Sequence, residues 1–240
     1  MILRLLLIVL FQTIPLHFGD VVEGTITDEQ PAITYRFTGS VNDIIVVEMR
    51  SVNRSLDNKL HTPVLILQDE NGEILVDTTL QYTLDDAVLI ARLPYTGIYQ
   101  LVATRDQTLD YKAVGDYTLS LNRMAIMRAG DVVTADLSNA DTLYYAYWIT
   151  EEAALQLDYV HLAGDFYPQV TLNRLVVDRG GLRPVGMIDG DSITQGQVTI
   201  TTQETFYILT IAQSPLDYVF DDVYASIRMM IGEANGDSSG

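Results

Sequence analysis

Gly190-Asp191-Ser192-Ile193-Thr194-Gln195-Gly196-Gln197-Val198-Thr199-Ile200-Thr201 is the stretch whose reading decides the fold class. A Gly-Asp-Ser block that ends a parallel strand and opens a helix belongs to an α/β enzyme, whereas the same block between antiparallel strands is a polar loop. The residues after the block discriminate between the two. Residues 197–201 alternate polar and apolar, and Tyr207, Leu209 and Ile211 fall on one side of the next segment. A period of two is that of a strand with one buried and one wetter face. The heptapeptide 190–196 therefore reads as a loop between strands.

The same period runs outward through the rest of the chain. Turn signals at Asn71-Gly72, Thr96-Gly97 and Gly180-Gly181 separate short apolar runs, and no segment carries the spacing of an amphipathic helix. The order of landmarks also repeats. Gly19-Asp20-Val21-Val22 returns as Gly130-Asp131-Val132-Val133, 111 residues further on. Each block is followed by an aromatic strand (Tyr35, Phe37; then Tyr145, Tyr147), an alternating apolar strand (Ile45, Val47, Met49; then Leu155, Leu157, Tyr159) and a strand led by Pro63 or Pro168. Two further strands come next in each half, and then closing strands at Tyr117 and Tyr224. Many short antiparallel strands in each half predict an all-β chain of two tandem antiparallel β-sandwich domains.

Leu93-Pro94-Tyr95-Thr96-Gly97-Ile98-Tyr99-Gln100-Leu101-Val102, followed by Gly115-Asp116-Tyr117-Thr118-Leu119-Ser120-Leu121, resembles the closing signature of the bacterial pre-peptidase C-terminal (PPC) domain. Gly19 to Gly24 resembles its opening strand, and Pro63 to Asp69 with Asn71-Gly72-Glu73 its middle. The second half resembles it more loosely: Thr134-Ala135 replaces Glu23-Gly24, Glu204-Thr205-Phe206 replaces the Tyr-Thr-Gly turn, and Asp222-Val223 replaces the Gly-Asp before the last tyrosine. The resemblance implies a non-catalytic, jelly-roll-like sandwich appended to exported proteins, where it aids secretion, targeting or contact with substrate; some related collagen-binding domains hold Ca²⁺. The expected boundaries are a signal peptide over 1–19, sandwich domains over 20–124 and 125–232, and a flexible tail over 233–240.

Composition narrows the partners. The 240 residues are 48% hydrophobic, enough for a proper core, and 32 acidic against 14 basic residues give a net charge of −18. Such a surface repels nucleic-acid phosphates and offers no polybasic patch for anionic lipid, which disfavours both; an extracellular protein or polysaccharide is the partner that the resemblance implies. With no cysteine there is no disulfide, thiolate metal site or cysteine nucleophile. Arg4 ahead of the apolar run Leu5 to Phe11 suits an export signal. That run is shorter than the roughly 20 residues of a membrane span. A secreted or extracytoplasmic protein is the expectation, with no membrane association after cleavage and an uncleaved anchor as the alternative.

Residues 190–196 also resemble the nucleophile block of the GDSL (SGNH) esterases, which implies Ser192 as nucleophile and a histidine base near the C-terminus in an Asp-x-x-His block. His17, His61 and His161 all precede Ser192. The one block of that spelling, Asp158-Tyr159-Val160-His161, stands upstream, and in a strand residues three apart face opposite ways. Gly236 to Gly240 resembles the nucleophile loop of chymotrypsin-like proteases, and reads as tail. No catalytic residue is assigned; a serine esterase is the alternative.

Carboxylates in loops, Asp85 with Asp86, Asp189 with Asp191, and Asp221 with Asp222, are candidate Ca²⁺ ligands, with solvated acidic loops as the competing reading. No EF-hand spacing, zinc-ligand spacing or phosphate-binding glycine loop is present. In Tyr144-Tyr145-Ala146-Tyr147-Trp148 both faces of one strand carry aromatic residues, so one set faces away from the core. Tyr144 with Trp148, or Tyr145 with Tyr147, is the candidate contact surface for a glycan, a protein or the neighbouring domain.

Overall fold

A computed structural model describes residues 13–52, 60–79, 86–106, 113–138, 142–149, 154–164, 168–176, 181–188, 195–201, 205–213 and 224–233. No helix occurs among them. The chain divides into two compact units, the first ending at Arg123 and the second starting at Met124.

The first unit contains β1 (Ile14–Pro15), β2 (Val21–Ile26), β3 (Ala32–Gly39), β4 (Ile44–Ser51), β5 (Pro63–Asp69), β6 (Ile74–Asp77), β7 (Asp86–Arg92), β8 (Gly97–Arg105) and β9 (Gly115–Arg123). They form a five-stranded sheet, β1-β3-β8-β5-β6, and a four-stranded sheet, β2-β9-β4-β7. The antiparallel pairs are nested: β5 with β6, β4 with β7, β3 with β8, β2 with β9. A long ribbon folded across itself in this way is a jelly roll, and β1 adds a short parallel edge to it.

Alternation makes the layers. Along β3, Ile33, Tyr35 and Phe37 are buried while Arg36 and Thr38 are exposed. Facing them from the other sheet are Ile45, Val47, Met49, Leu89, Tyr117 and Leu119, all in one core cluster. The Tyr35 and Tyr117 hydroxyls hydrogen-bond to each other at 2.8 Å inside that core, so neither phenol is buried without a partner.

The Thr96-Gly97 signal turns out to be an arch between sheets. It joins β7 in one sheet to β8 in the other. The Tyr99 hydroxyl donates to the Tyr95 carbonyl at 2.6 Å and accepts from the Tyr95 N–H at 3.2 Å, which pins the arch as a tyrosine corner. A Cβ at Gly97 would lie 3.1 Å from the Tyr95 ring, so the ring packs closely over this glycine.

The second unit contains β10 (Ala125–Met127), β11 (Val132–Ser138), β12 (Thr142–Ile149), β13 (Ala154–Gly164), β14 (Pro168–Val176), β15 (Gly181–Ile188), β16 (Gln195–Thr201), β17 (Thr205–Gln213) and β18 (Tyr224–Glu233). Its sheets run β10-β12-β17-β14-β15 and β11-β18-β13-β16, so each strand takes the place of the strand nine before it in the first unit. The core holds Tyr147, Leu157, Tyr159, Val170, Leu172, Leu209, Ile227 and Met229.

The recurring Gly-Asp has a physical account. Gly19 and Gly130 sit at φ +91° and +86°, a conformation that glycine adopts without steric cost. Asp20 Oδ2 accepts the N–H of His17 at 2.8 Å, and Asp131 Oδ2 accepts that of Arg128 at 2.8 Å. One turn is thus built twice. The closing strands need a correction, however. Gly24 lies opposite Tyr117, while its counterpart Ala135 lies opposite Ile227. The residue in the place of Tyr117 is therefore Ile227, three positions beyond Tyr224.

The expected boundary after Gly19 also disagrees with the architecture of the first unit. Ile14 and Pro15 pair with Tyr35 and Arg36, and the Leu16 N–H donates to the Arg36 carbonyl at 2.9 Å. Leu16 is 2% exposed within the core, and Phe18 packs edge-on against Phe37 at 5.8 Å. The second unit carries the same lead-in, with β10 parallel to β12 and Met127 in the core. Cleavage after residue 19 would remove a core side chain together with the edge strand; the folded unit includes Thr13 to Gly19.

Candidate functional site

Ser192 and residues 189–194 lie outside the described residues. Gln195 and Gly196, which the sequence reading puts in the loop, instead open β16, an edge strand antiparallel to β13. The Gly-Asp-Ser block thus leads into a strand. On β13, Asp158 shares its face with Gln156, whose Nε2 donates to both carboxylate oxygens at 3.0 and 3.1 Å. Tyr159 faces the core, and His161 follows two residues later on that side, just before a register shift. Asp158 and His161 therefore diverge, as strand geometry requires.

The aromatic strand resolves into two faces. Tyr147 belongs to the core, and Tyr145 packs against it with burial pushing its phenol pKa up. That removes Tyr147, 5% exposed, from the candidate contact surface. Tyr144, Ala146 and Trp148 take the opposite face, beside Thr210, Ile208 and Phe206 of β17. Trp148 stands edge-on to Phe206 at 4.0 Å. Next along the sheet, Asn173 Nδ2 donates to the Ile208 and Thr171 carbonyls and to Thr210 Oγ1. The middle row is closed to a ligand, because Ala146 and Ile208 are 0% exposed. Tyr144 and Trp148 on either side are half-buried.

A concavity that sequence reasoning missed lies at the β1 edge of the first unit. It measures about 560 Å³ and is bordered by Thr13, Pro15, Phe18, Arg36, Thr38 and Ile98, among others. Alternation puts Arg36 and Thr38 on the outer face of β3, and Ile98 pairs with Thr38 from β8. Phe18 is fixed between Phe37 and the Arg123 guanidinium, which lies 4.4 Å above its ring. A single outward arginine in an alternating strand carries no distinguishing mark in sequence.

A second concavity, about 370 Å³, is bordered by Thr25, Asp28, Glu29, Gly115 and Asp116. Both of its aspartates are engaged in structure: Asp28 binds the buried Arg105 guanidinium at 2.8 Å, and Asp116 accepts the Thr25 hydroxyl at 2.6 Å. Of the candidate Ca²⁺ ligands, Asp86 is exposed at the start of β7; Asp85, Asp189, Asp191, Asp221 and Asp222 lie outside the described residues. Among the described residues no three carboxylate or imidazole side chains gather as a metal site would require.

No family model and no curated protein matches the chain. Among solved structures it is similar to the pre-peptidase C-terminal domain of collagenase from Bacillus anthracis, at 14% identity over 46% of this chain and 95% of that one, with a TM-score of 0.35. Tandem CBM51 modules of a family 98 glycoside hydrolase from Streptococcus pneumoniae are similar at 9% identity over 89% of this chain and 84% of that one, TM-score 0.30. The CUB1-EGF-CUB2 domains of human MASP-1/3 are similar at 10% identity over 89% and 99%, TM-score 0.27. At such scores the strand pairing within each unit, rather than any resemblance, defines the fold.

Proposed function

We propose that this chain is a non-catalytic, extracytoplasmic binding protein made of two sandwich domains of the PPC type, over 20–124 and 125–232 with the lead-in residues 13–19 added to the first. The second copy has diverged further from the pattern. The reading rests on one observation: Asp158 and His161, the only pair that could have served Ser192 in the spelling of an esterase block, sit on opposite faces of β13. The apolar clusters that fill the space between the sheets of each unit support it.

Short-chain nitrophenyl esters test it directly. The purified protein is expected to give only the background rate, unchanged by Ser192→Ala. A rate above background that disappears in Ser192→Ala would establish the esterase instead. Export is part of the proposal, and intact mass of secreted protein checks it: residues 13–19 are expected to remain. Ca²⁺ binding in the acidic loops also stays a proposal, for which chelation should lower Tm, with recovery on adding Ca²⁺ and none with Mg²⁺.

A further inference from the structure

β1 covers only Tyr35 and Arg36 of the eight-residue β3. Phe37, Thr38 and Gly39 continue that edge with no strand beside them among the described residues. Sheet edges present backbone donors and acceptors in a row, and an extended chain can add to them. The concavity of about 560 Å³ opens along this same edge, with Pro15, Phe18 and Ile98 as its apolar wall. Its charge is opposite to that of the molecule: the net charge is −18, yet Arg36 is exposed and has no carboxylate partner among the described residues. Nearby guanidinium groups are occupied, Arg123 on Asp43 at 3.0 Å and Arg92 on Asn42. Arg36 is thus available for a planar anion, and a carboxylate fits the guanidinium fork.

We propose that this edge docks an extended, acidic segment of a partner protein. The segment pairs with β3 beyond β1, places one carboxylate on Arg36, and lays an apolar side chain against Phe18 and Ile98. A strand carries such residues on one face when they are two apart, which matches the spacing of Arg36 and Thr38 along β3. The proposal rests on the reading of the chain as a binding protein.

The test uses the full chain and a fluorescent, end-capped pentapeptide, Thr-Glu-Thr-Ile-Thr, in which Glu and Ile share one strand face, followed by anisotropy. Saturable binding is expected, weakened about tenfold or more by Arg36→Glu and partly restored in Arg36→Lys, because the charge term is kept while the fork is lost. The same peptide with Lys for Glu is expected not to bind. Amide exchange at Thr38, whose backbone faces this edge as that of Arg36 does, should slow on binding, a local readout that a general loss of stability would not mimic. Equal affinity in Arg36→Glu, slowed exchange elsewhere, or no saturable binding would each overturn the site. Glycan binding without peptide binding would overturn it while leaving the binding-protein reading in place. Ester hydrolysis lost in Ser192→Ala would instead overturn that reading, whatever the peptide does.

Discussion

Two units with one strand order fill their interiors with different chemistry. In the first, Gly24 makes room for Tyr117, whose hydroxyl meets that of Tyr35; a Cβ at Gly24 would lie 2.4 Å from the Tyr117 ring and hydroxyl. In the second, Ala135 faces Ile227, and Tyr145, in the place of Tyr35, packs at the margin of the core. Glycine with tyrosine has been exchanged for alanine with isoleucine as a pair. The nested pairing therefore tolerates either solution, and the constraint acts on the summed volume of facing residues rather than on each residue separately.

The comparison breaks most severely at the lead-in, which both units share. Leu16→Ala removes a core side chain and is expected to cost about 3 kcal/mol. Met127→Ala should cost less, about 2 kcal/mol, because the unbranched methionine leaves a site that closes more readily. Urea unfolding of each variant measures both. Equal stability of a chain starting at Asp20 and one starting at Thr13 would remove the lead-in from the fold.

Gly24→Ala comes next, at roughly 1–3 kcal/mol, since Tyr117 is fully buried and cannot swing aside. The reciprocal Ala135→Gly should cost only about 0.5–1 kcal/mol, the entropy of a strand glycine. If the two changes cost the same, the paired exchange is wrong.

These particulars show what was legible in the sequence. Alternation identifies the layers, and the Gly-Asp block recurs in the sequence because a left-handed glycine and a capping aspartate are local requirements. The nested pairing is not local: β2 finds β9 across most of the unit, and periodicity says nothing about which strands meet. Matching Tyr117 to Tyr224 followed letters, whereas the register that places Ile227 there depends on pairing with β11. Residues 13–19 read as one with the apolar run before them because a two-residue parallel strand has no period to detect. Arg36 looks like any solvent-facing residue of a half-buried strand; that no carboxylate among the described residues meets its guanidinium is a property of space.

Ionisation adds a pH dependence to both units. Burial, the largest cause, raises the phenol pKa of Tyr35, Tyr99 and Tyr117 in the first unit and of Tyr145 in the second. A raised phenol contributes stability that is complete below the unfolded value of about 10 and is lost as pH climbs above it, because the unfolded chain ionises first. Alkaline unfolding of the first unit is expected to appear as a cooperative rise in the ultraviolet absorbance of tyrosinate above about pH 10. Tyr117→Phe should cost about 1–2 kcal/mol at neutral pH, as it leaves the Tyr35 hydroxyl without its partner. The double change of Tyr35 and Tyr117 to phenylalanine should recover most of that loss and shift alkaline unfolding upward.

The smallest effect belongs to the hairpin between β5 and β6. Asp69 accepts the N–H groups of Asn71 and Glu73, both at 2.8 Å, and the Asn71 side-chain amide at 3.1 Å. The Glu73 N–H, then the groups of Asn71 and Gly72, hold its carboxyl below the usual range against the opposing effect of desolvation. A depressed pKa contributes stability that is present above the unfolded value of about 3.9 and is lost as pH falls. Asp69→Asn should therefore lower Tm slightly at pH 7, and the gap from the parent should narrow as the solution is acidified below about pH 4. A gap that persists in acid would show that the turn is held by the shape of the Asp69 side chain, with its charge contributing nothing.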